Sequence, residues 1–198
     1  MLYKLAHLLR DHCSCVWNAL EWGNGLLFTM FLGGALKQIP DILKEYEGQY
    51  TYRLATERDV KSLVSFFAHQ PQESFIHFNP HGFDEKSFKQ VCDSKAFLMF
   101  IACDKDDIIG YFFLRCYVGG KAFRGKYVDV NYQGQGIATE MGRILSHVAK
   151  LLQLKVYGSI SPENYASLAS ARKSNNLNII KTLENGDLYI EFIDKNDR

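Results

Sequence analysis

Apolar residues near the start of the chain recur in steps of three and four, which places them along one stripe of a helix. The stripe comprises Leu2, Leu5, Leu9, Cys13, Val16, Trp17 and Leu20. Glu21-Trp22-Gly23-Asn24-Gly25 interrupts this pattern, and a second apolar stretch runs from Leu26 to Leu43. Pro40 should end or kink the helix that precedes it. We therefore predict a helical appendage over residues 1–47.

The pattern changes at Tyr50, where apolar and polar residues begin to alternate as they do in a half-buried strand. Thr56-Glu57-Arg58-Asp59 has the composition of a helix cap, and the helix after it should run to about His69. Residues 70–83 mix proline, histidine and phenylalanine without a period, which predicts a loop. A short helix can then start at Asp84.

The rest of the chain alternates between strand and helix patterns. Two apolar runs, Ala96 to Cys103 and Ile108 to Val118, flank a polar turn and should pair antiparallel. The later predicted elements are a strand ending near Val130, a helix over 137–152, a strand over 154–160, a helix over 164–173 and a hairpin over 177–193. This order predicts an α/β fold with a mixed, mostly antiparallel sheet flanked by helices.

Length and charge limit the classes of function. A chain of 198 residues with 47% hydrophobic content can bury one sizeable core, so one domain with an appendage is expected. The formal net charge is +1, from 23 basic and 22 acidic residues, which gives no indication of nucleic-acid binding. A small-molecule partner is therefore the expectation.

The cysteines and the N-terminal segment bear on location. Five cysteines without a framework spacing favour a reducing, cytoplasmic compartment. Cys13 and Cys15 lack further ligands nearby, so no metal is expected. Arg10-Asp11-His12 interrupts any signal-peptide core, and Leu26 to Leu36 is shorter than the roughly 20 residues of a membrane span. We expect neither secretion nor a membrane span.

A glycine-rich segment, Gln133-Gly134-Gln135-Gly136-Ile137-Ala138, joins a predicted strand to a predicted helix. Backbone N–H groups at a helix start lack partners within the helix, and glycines let them approach an anion. A pyrophosphate fits this pattern. By itself, the segment is equally compatible with an ordinary tight turn.

The residues from Tyr127 to Ala138 resemble the signature of the GNAT superfamily of N-acetyltransferases, in which a strand ending in valine precedes Q/R-x-x-G-x-G/A. The resemblance covers roughly residues 50–193 and leaves the first 47 unmatched. It implies an acetyltransferase domain over residues 48–198, acetyl-CoA as the co-substrate, and a sheet that is splayed where the cofactor binds.

The resemblance also implies roles for individual residues. The backbone of Lys126, Tyr127 and Val128 would lie along the acetyl and pantetheine part of the cofactor, with the Val128 N–H on the acetyl carbonyl. The glycine-rich segment would surround the pyrophosphate, and Asn164 would bind the pantetheine arm. The predicted cofactor-binding residues are Lys126, Tyr127, Val128, Gln133, Gly134, Gln135, Gly136, Ile137, Ala138, Thr139 and Asn164.

The acid and the base are harder to assign. The family often places a tyrosine seven residues after the asparagine to protonate the leaving thiolate, and this sequence has Ala171 there. Ser170 and Ser174, on the same predicted helix, are the alternative donors. His81, in the aromatic loop over residues 70–83, is the candidate base or substrate-binding residue. The alternative for His81 is a loop packed by its own aromatic side chains.

The function expected from these features is direct transfer of an acetyl group from CoA to a primary amine of a small molecule. Rings and hydrogen-bonding groups around His81 favour an amino sugar. A catalytically silent acyl-CoA-binding module and an interaction protein are the alternatives. An exposed N-terminal stripe requires a cover, so we expect a homodimer through these helices, with docking on the chain's own domain as the other solution.

Overall fold

The structure, a computed structural model, describes residues 14–195, with side chains from Trp22 onward. The predicted apolar stripe from Leu2 to Leu20 therefore falls on residues or side chains that are not described. The division into domains at residues 47 and 48 stays a prediction.

A seven-stranded sheet forms the centre of the molecule. Its strands are β1 (Thr51–Leu54), β2 (Phe97–Asp104), β3 (Asp107–Tyr117), β4 (Lys121–Val128), β5 (Lys155–Ile160), β6 (Asn175–Thr182) and β7 (Leu188–Asp194). The spatial order is β1-β2-β3-β4-β5-β7-β6. Every neighbouring pair is antiparallel except β4 and β5, which are parallel. The predicted mixed, mostly antiparallel sheet is confirmed.

Six α-helices flank the sheet in the described part of the chain: α1 (Ser14–Leu36), α2 (Ile39–Lys44), α3 (Val60–Ala68), α4 (Glu85–Asp93), α5 (Ile137–Leu151) and α6 (Tyr165–Ser174). Side chains on alternate residues of a strand point to opposite faces. Phe112 therefore packs in a core with α1, α2, α5 and α6, whereas its neighbours Tyr111 and Phe113 pack in a second core with α3 and α4.

Helix α1 differs from the prediction. The predicted break at residues 21–25 is wrong, because α1 is continuous from Ser14 to Leu36. Tertiary contacts offset the weak helix propensity of the glycines, about 1 kcal/mol each. Asn24 donates to the Cys116 carbonyl over 2.9 Å and accepts from the Val118 N–H over 3.0 Å. Pro40, as expected, lies beyond this helix, in the first turn of α2.

Strands β4 and β5 separate after a short parallel pairing. Their register joins only Lys121 with Lys155, Ala122 with Val156 and Phe123 with Tyr157. Beyond Phe123, β4 continues to Val128 with β3 as its only partner strand among the described elements. We call the resulting opening the β4–β5 gap, and it confirms the predicted splay of the sheet.

Candidate active site

The segment over residues 133–138, which we call the glycine loop, connects β4 to α5. Gly134 and Gly136 have φ angles of +79° and +87°. L side chains rarely adopt this conformation, so glycine is required at both positions. A Cβ atom added at either glycine would meet nothing within 4 Å, so the space in front of the loop is open.

The backbone donors of the glycine loop lie beside that open space. Helix α5 begins its hydrogen bonding at Thr139 and Glu140, whose N–H groups donate to the Gly136 carbonyl over 2.9 and 3.1 Å. The N–H groups from Gly134 to Ala138 have no acceptor among the described residues. Unpaired N–H groups together with the positive end of the helix dipole favour a bound anion. The loop therefore fits the pyrophosphate of CoA.

A cleft of about 450 Å³ opens at the glycine loop. Arg143 from α5 and Lys173 from α6 add two positive charges to its lining, which suits a phosphorylated ligand. The sequence analysis missed both residues. Arg143 could have been found, since it is seven residues after Gly136, two helical turns along the same face of α5.

The segment before β1 forms another wall of this cleft. Tyr46 and Tyr50 both line it. The Tyr50 hydroxyl donates to Oε1 of Gln135 through a short hydrogen bond, which ties the segment to the glycine loop. Tyr46, at the boundary of the predicted appendage, also contacts His147 of α5. Residues that precede the sheet therefore help to shape the predicted cofactor site.

Lys126 of β4 places its side chain between α5 and α6. Its ammonium donates to the Ala138 carbonyl over 2.6 Å and, through a short hydrogen bond, to the hydroxyl of Ser170. Burial lowers the pKa of Lys126 well below its ordinary value, and the positive charge of Arg124 lowers it further. The sequence analysis predicted a backbone role for Lys126 and did not foresee this position of its side chain.

Arg124, two residues earlier on the same face of β4, is 9% exposed. Its Nη1 donates to Oδ1 of Asn175 over 2.9 Å, and its guanidinium carbon lies 3.5 Å from the centre of the Phe192 ring. Its Nη2 has no partner among the described residues. Burial lowers the pKa of Arg124 to about 9, which leaves the side chain positively charged at neutral pH.

Helix α6 carries the other predicted side chains. Asn164 caps the helix, with its Oδ1 accepting from the Ser167 N–H over 3.0 Å. Ala171 is fully buried, and its methyl side chain has no proton to donate. Ser174 is also buried, and its hydroxyl lies within hydrogen-bond distance of Oδ1 of Asn175 (3.0 Å) and of the Ser170 carbonyl (3.1 Å). These bonds favour a packing role for Ser174 and leave Ser170, beside Lys126, as the better-placed serine.

His81 has partners for both ring nitrogens. Its Nδ1–H donates to the Gly82 carbonyl over 2.7 Å, so Nε2 accepts from the Tyr111 hydroxyl over 2.8 Å. Burial lowers the pKa of His81. The phenylalanines of the aromatic loop stack on Phe67 and Tyr127. This arrangement favours the packed-loop alternative over a catalytic base at His81.

Residues 50–175 match the family profile described as the acetyltransferase (GNAT) domain. The match spans more than half of the chain, and the chain belongs to this family of acetyltransferases. The family assignment confirms acetyl-CoA as the expected co-substrate.

Solved structures share the fold. The GNAT domain of S. lividans PAT has 18% identity and a TM-score of 0.63, over 73% of this chain and 90% of that one. The ribosomal-protein-S5-alanine acetyltransferase from Vibrio fischeri has 16% identity and a TM-score of 0.60, over 77% and 97%. Aminoglycoside acetyltransferase AAC(6')-Ib, in complex with coenzyme A and kanamycin, has 18% identity and a TM-score of 0.57, over 73% and 94%. No curated protein is significantly similar in sequence.

Within residues 14–195, no helix combines the length and hydropathy of a membrane span. In the same part of the chain, no group of three or more histidine, cysteine, aspartate or glutamate side chains is arranged to hold a metal ion.

Proposed function

We propose that this protein is an N-acetyltransferase that moves an acetyl group directly from acetyl-CoA to a primary amine of a small molecule. The observation that carries the proposal is the glycine loop, whose N–H groups from Gly134 to Ala138 are unpaired and whose residues Gln135, Gly136 and Ile137 line the cleft. The runner-up is a catalytically silent acyl-CoA-binding module.

In the proposed reaction, CoA supplies an activated acetyl thioester, and the chain binds and orients it. The N–H groups from Gly134 to Ala138 bind the pyrophosphate, with Arg143 and Lys173 adding positive charge at the cleft. The unpaired side of β4 at the β4–β5 gap orients the extended arm. Holding the two reactants in line removes most of the entropic cost of a bimolecular step.

An aromatic cluster on the face of the sheet opposite α5 and α6, exposed mainly through Phe123, supports a small amine as acceptor. It consists of Phe123, Tyr157 and Tyr189, which we call the aromatic platform, with ring centres 5.7–6.3 Å apart. Phe123 is 38% exposed and is the last residue of β4 that pairs with β5, so the platform borders the β4–β5 gap. The carboxylate of Glu191 lies 3.4 Å from the Tyr157 hydroxyl. Aromatic faces and a carboxylate both attract an ammonium group.

Amino sugars are the first acceptor class to test. The fold neighbour AAC(6')-Ib binds the aminoglycoside kanamycin, which supports this choice. The aromatic loop does not support an amino-sugar acceptor, because its rings pack against Phe67 and Tyr127.

The experiment measures CoA release by thiol detection with kanamycin, with spermidine and with a short peptide that has a free N-terminus. Mass spectrometry of each product identifies the acetylated nitrogen. We expect turnover with at least one small amine. Turnover with the peptide alone would overturn the small-molecule assignment, and binding of acetyl-CoA without any turnover would favour the silent module.

A further inference from the structure

Two basic side chains lie on the face of β4 that packs against α5 and α6, at the β4–β5 gap. They belong to Arg124 and Lys126, whose side chains point the same way because they are two residues apart on the strand. Neither side chain has a carboxylate within salt-bridge distance among the described residues. Arg124 is in addition left with an unpaired, buried Nη2.

A buried charge without a counter-charge is unfavourable, and such groups concentrate at functional sites. Arg124 is buried, and Lys126 is partly buried beside it. The bonds of Lys126 to the Ala138 carbonyl and to Ser170 engage its ammonium with neutral groups only. The charge of Arg124, together with that of Lys126 in its protonated form, can therefore stabilise a negative charge that forms at the β4–β5 gap. In acetyl transfer from CoA, that charge forms on the sulfur.

We propose that Lys126 protonates the CoA sulfur as it leaves, with Arg124 as the second positive charge behind it. This inference rests on the proposed function and names its proton donor. Lys126 contacts α6 at Ser170, the residue next to Ala171, so its ammonium lies beside the position where the sequence lacks a tyrosine. In this proposal, Lys126 of β4 supplies the proton that a tyrosine at the position of Ala171 in α6 would otherwise donate.

The step balances as follows. The neutral amine of the acceptor forms a bond to the acetyl carbonyl carbon, and the bond from that carbon to sulfur breaks with its electron pair remaining on sulfur. The Lys126 ammonium gives one proton to the sulfur, which yields the CoA thiol and a neutral lysine. The acceptor nitrogen releases one proton to solvent as the amide forms, and Lys126 regains a proton from solvent.

The environment of Lys126 suits this role. Burial lowers the pKa of the ammonium, so it gives up its proton more readily than an exposed lysine does. The positive charge of Arg124, on the same face of β4, lowers the pKa of Lys126 further. The contacts from α5 and α6 are the Ala138 carbonyl and the hydroxyl of Ser170.

The test measures the pKa of the CoA thiol in its complex with the full chain, from the ultraviolet absorbance of the thiolate. Lys126→Met keeps the length of the side chain and removes the charge. We expect the thiol pKa to be higher in this variant than in the wild type by about 1–3 pH units. The matched control is Lys181→Met, an exposed lysine on β6, which should behave as the wild type.

Kinetic measurements then distinguish two roles of Lys126: donating a proton to the sulfur, or stabilising the thiolate by its charge alone. Lys126→Met should lower kcat with the best amine by about 10²-fold or more and should remove the alkaline limb of the pH profile. Lys126→Arg keeps the charge but holds its proton too firmly to donate it. It should therefore retain the lowered thiol pKa and recover only part of kcat.

The outcomes are distinct. An unchanged thiol pKa in Lys126→Met would overturn the proposal, as would an unchanged kcat and pH profile. Lys126→Gln serves in place of Lys126→Met if the latter does not fold, and loss of CoA binding in both folded variants would assign Lys126 to binding alone. Failure of the proposed function itself would appear separately, as absence of turnover in the wild type.

Discussion

The carboxylate of Asp59, just before α3, accepts four hydrogen bonds. It accepts two hydrogen bonds from Arg53, over 2.6 and 2.8 Å. It also accepts from the Thr56 N–H over 2.8 Å and from the Thr56 hydroxyl over 3.0 Å, which completes a capping box before α3. The bond to Arg53 is the main cause that lowers the pKa of Asp59 to about 2.

The change Asp59→Asn tests this arrangement. The pKa in the folded state lies below the ordinary value of 3.8, so the stabilisation is complete above about pH 4 and is lost as the pH falls toward 2. Because Arg53 is half exposed, we expect a loss of only about 1–2 kcal/mol at pH 7. Urea unfolding at pH 7 and at pH 3 measures it.

The control for that measurement is Asp41→Asn, which breaks an exposed pair with Lys44 and should change the free energy of unfolding by less than about 0.5 kcal/mol. A loss in Asp59→Asn that is the same at both pH values would show that the charge of Asp59 does not contribute.

Phe123 is the residue through which the aromatic platform is tested. Phe123→Ala should raise KM for the amine severalfold and leave KM for acetyl-CoA unchanged, because the ring contacts the proposed acceptor side and not the glycine loop. The control is Ile179→Ala, which changes an exposed apolar residue on β6 that lies outside the aromatic platform. Steady-state kinetics with both substrates varied measure the two KM values. An unchanged KM for the amine would show that the aromatic platform does not bind the acceptor.

At the scale of elements, α1 has two unlike sides. Phe28 is 1% exposed and packs in the core, whereas Trp22, Met30 and Phe31 are each at least 70% exposed. The inner side shows that part of the predicted appendage docks on the chain's own sheet. The outer side forms a patch of large apolar residues that soluble monomers rarely leave open.

We predict that this outer side of α1 joins two copies of the chain. Replacing Met30 and Phe31 together by serine should shift the wild-type dimer to a monomer in light scattering without lowering the melting temperature, since neither residue is part of the core. A wild-type chain that is already monomeric at high micromolar concentration would contradict the prediction.

At the scale of the whole molecule, local patterns predicted most of the sheet and the glycine loop. Alternation and turn residues are local signals, and the strands they predicted over residues 96–118 pair as expected. Helix α1 was mispredicted because its glycines are weak helix formers, and the contacts of Asn24 with Cys116 and Val118, more than 90 residues away, outweigh that local preference.

The position of the Lys126 side chain could not be predicted from the sequence, because its contacts lie far away along the chain. Lys126 meets Ala138 and Ser170, which are 12 and 44 positions away, so only the packed structure brings them together. The same holds for Tyr50 and Gln135, 85 positions apart. Backbone roles follow from a motif, but side-chain contacts between elements depend on how α5 and α6 pack over β4.

Binding of acetyl-CoA, measured by isothermal titration calorimetry, tests the central claim that the glycine loop holds the cofactor. The variants are Gly136→Leu and, as control, Gly186→Leu, whose φ angles of +87° and +88° impose similar backbone strain. A leucine at position 136 would fill the open space in front of the loop, whereas Gly186 lies in the turn between β6 and β7. We predict that the wild type and Gly186→Leu bind acetyl-CoA equally and that folded Gly136→Leu does not bind it. Wild-type affinity in folded Gly136→Leu would contradict the account.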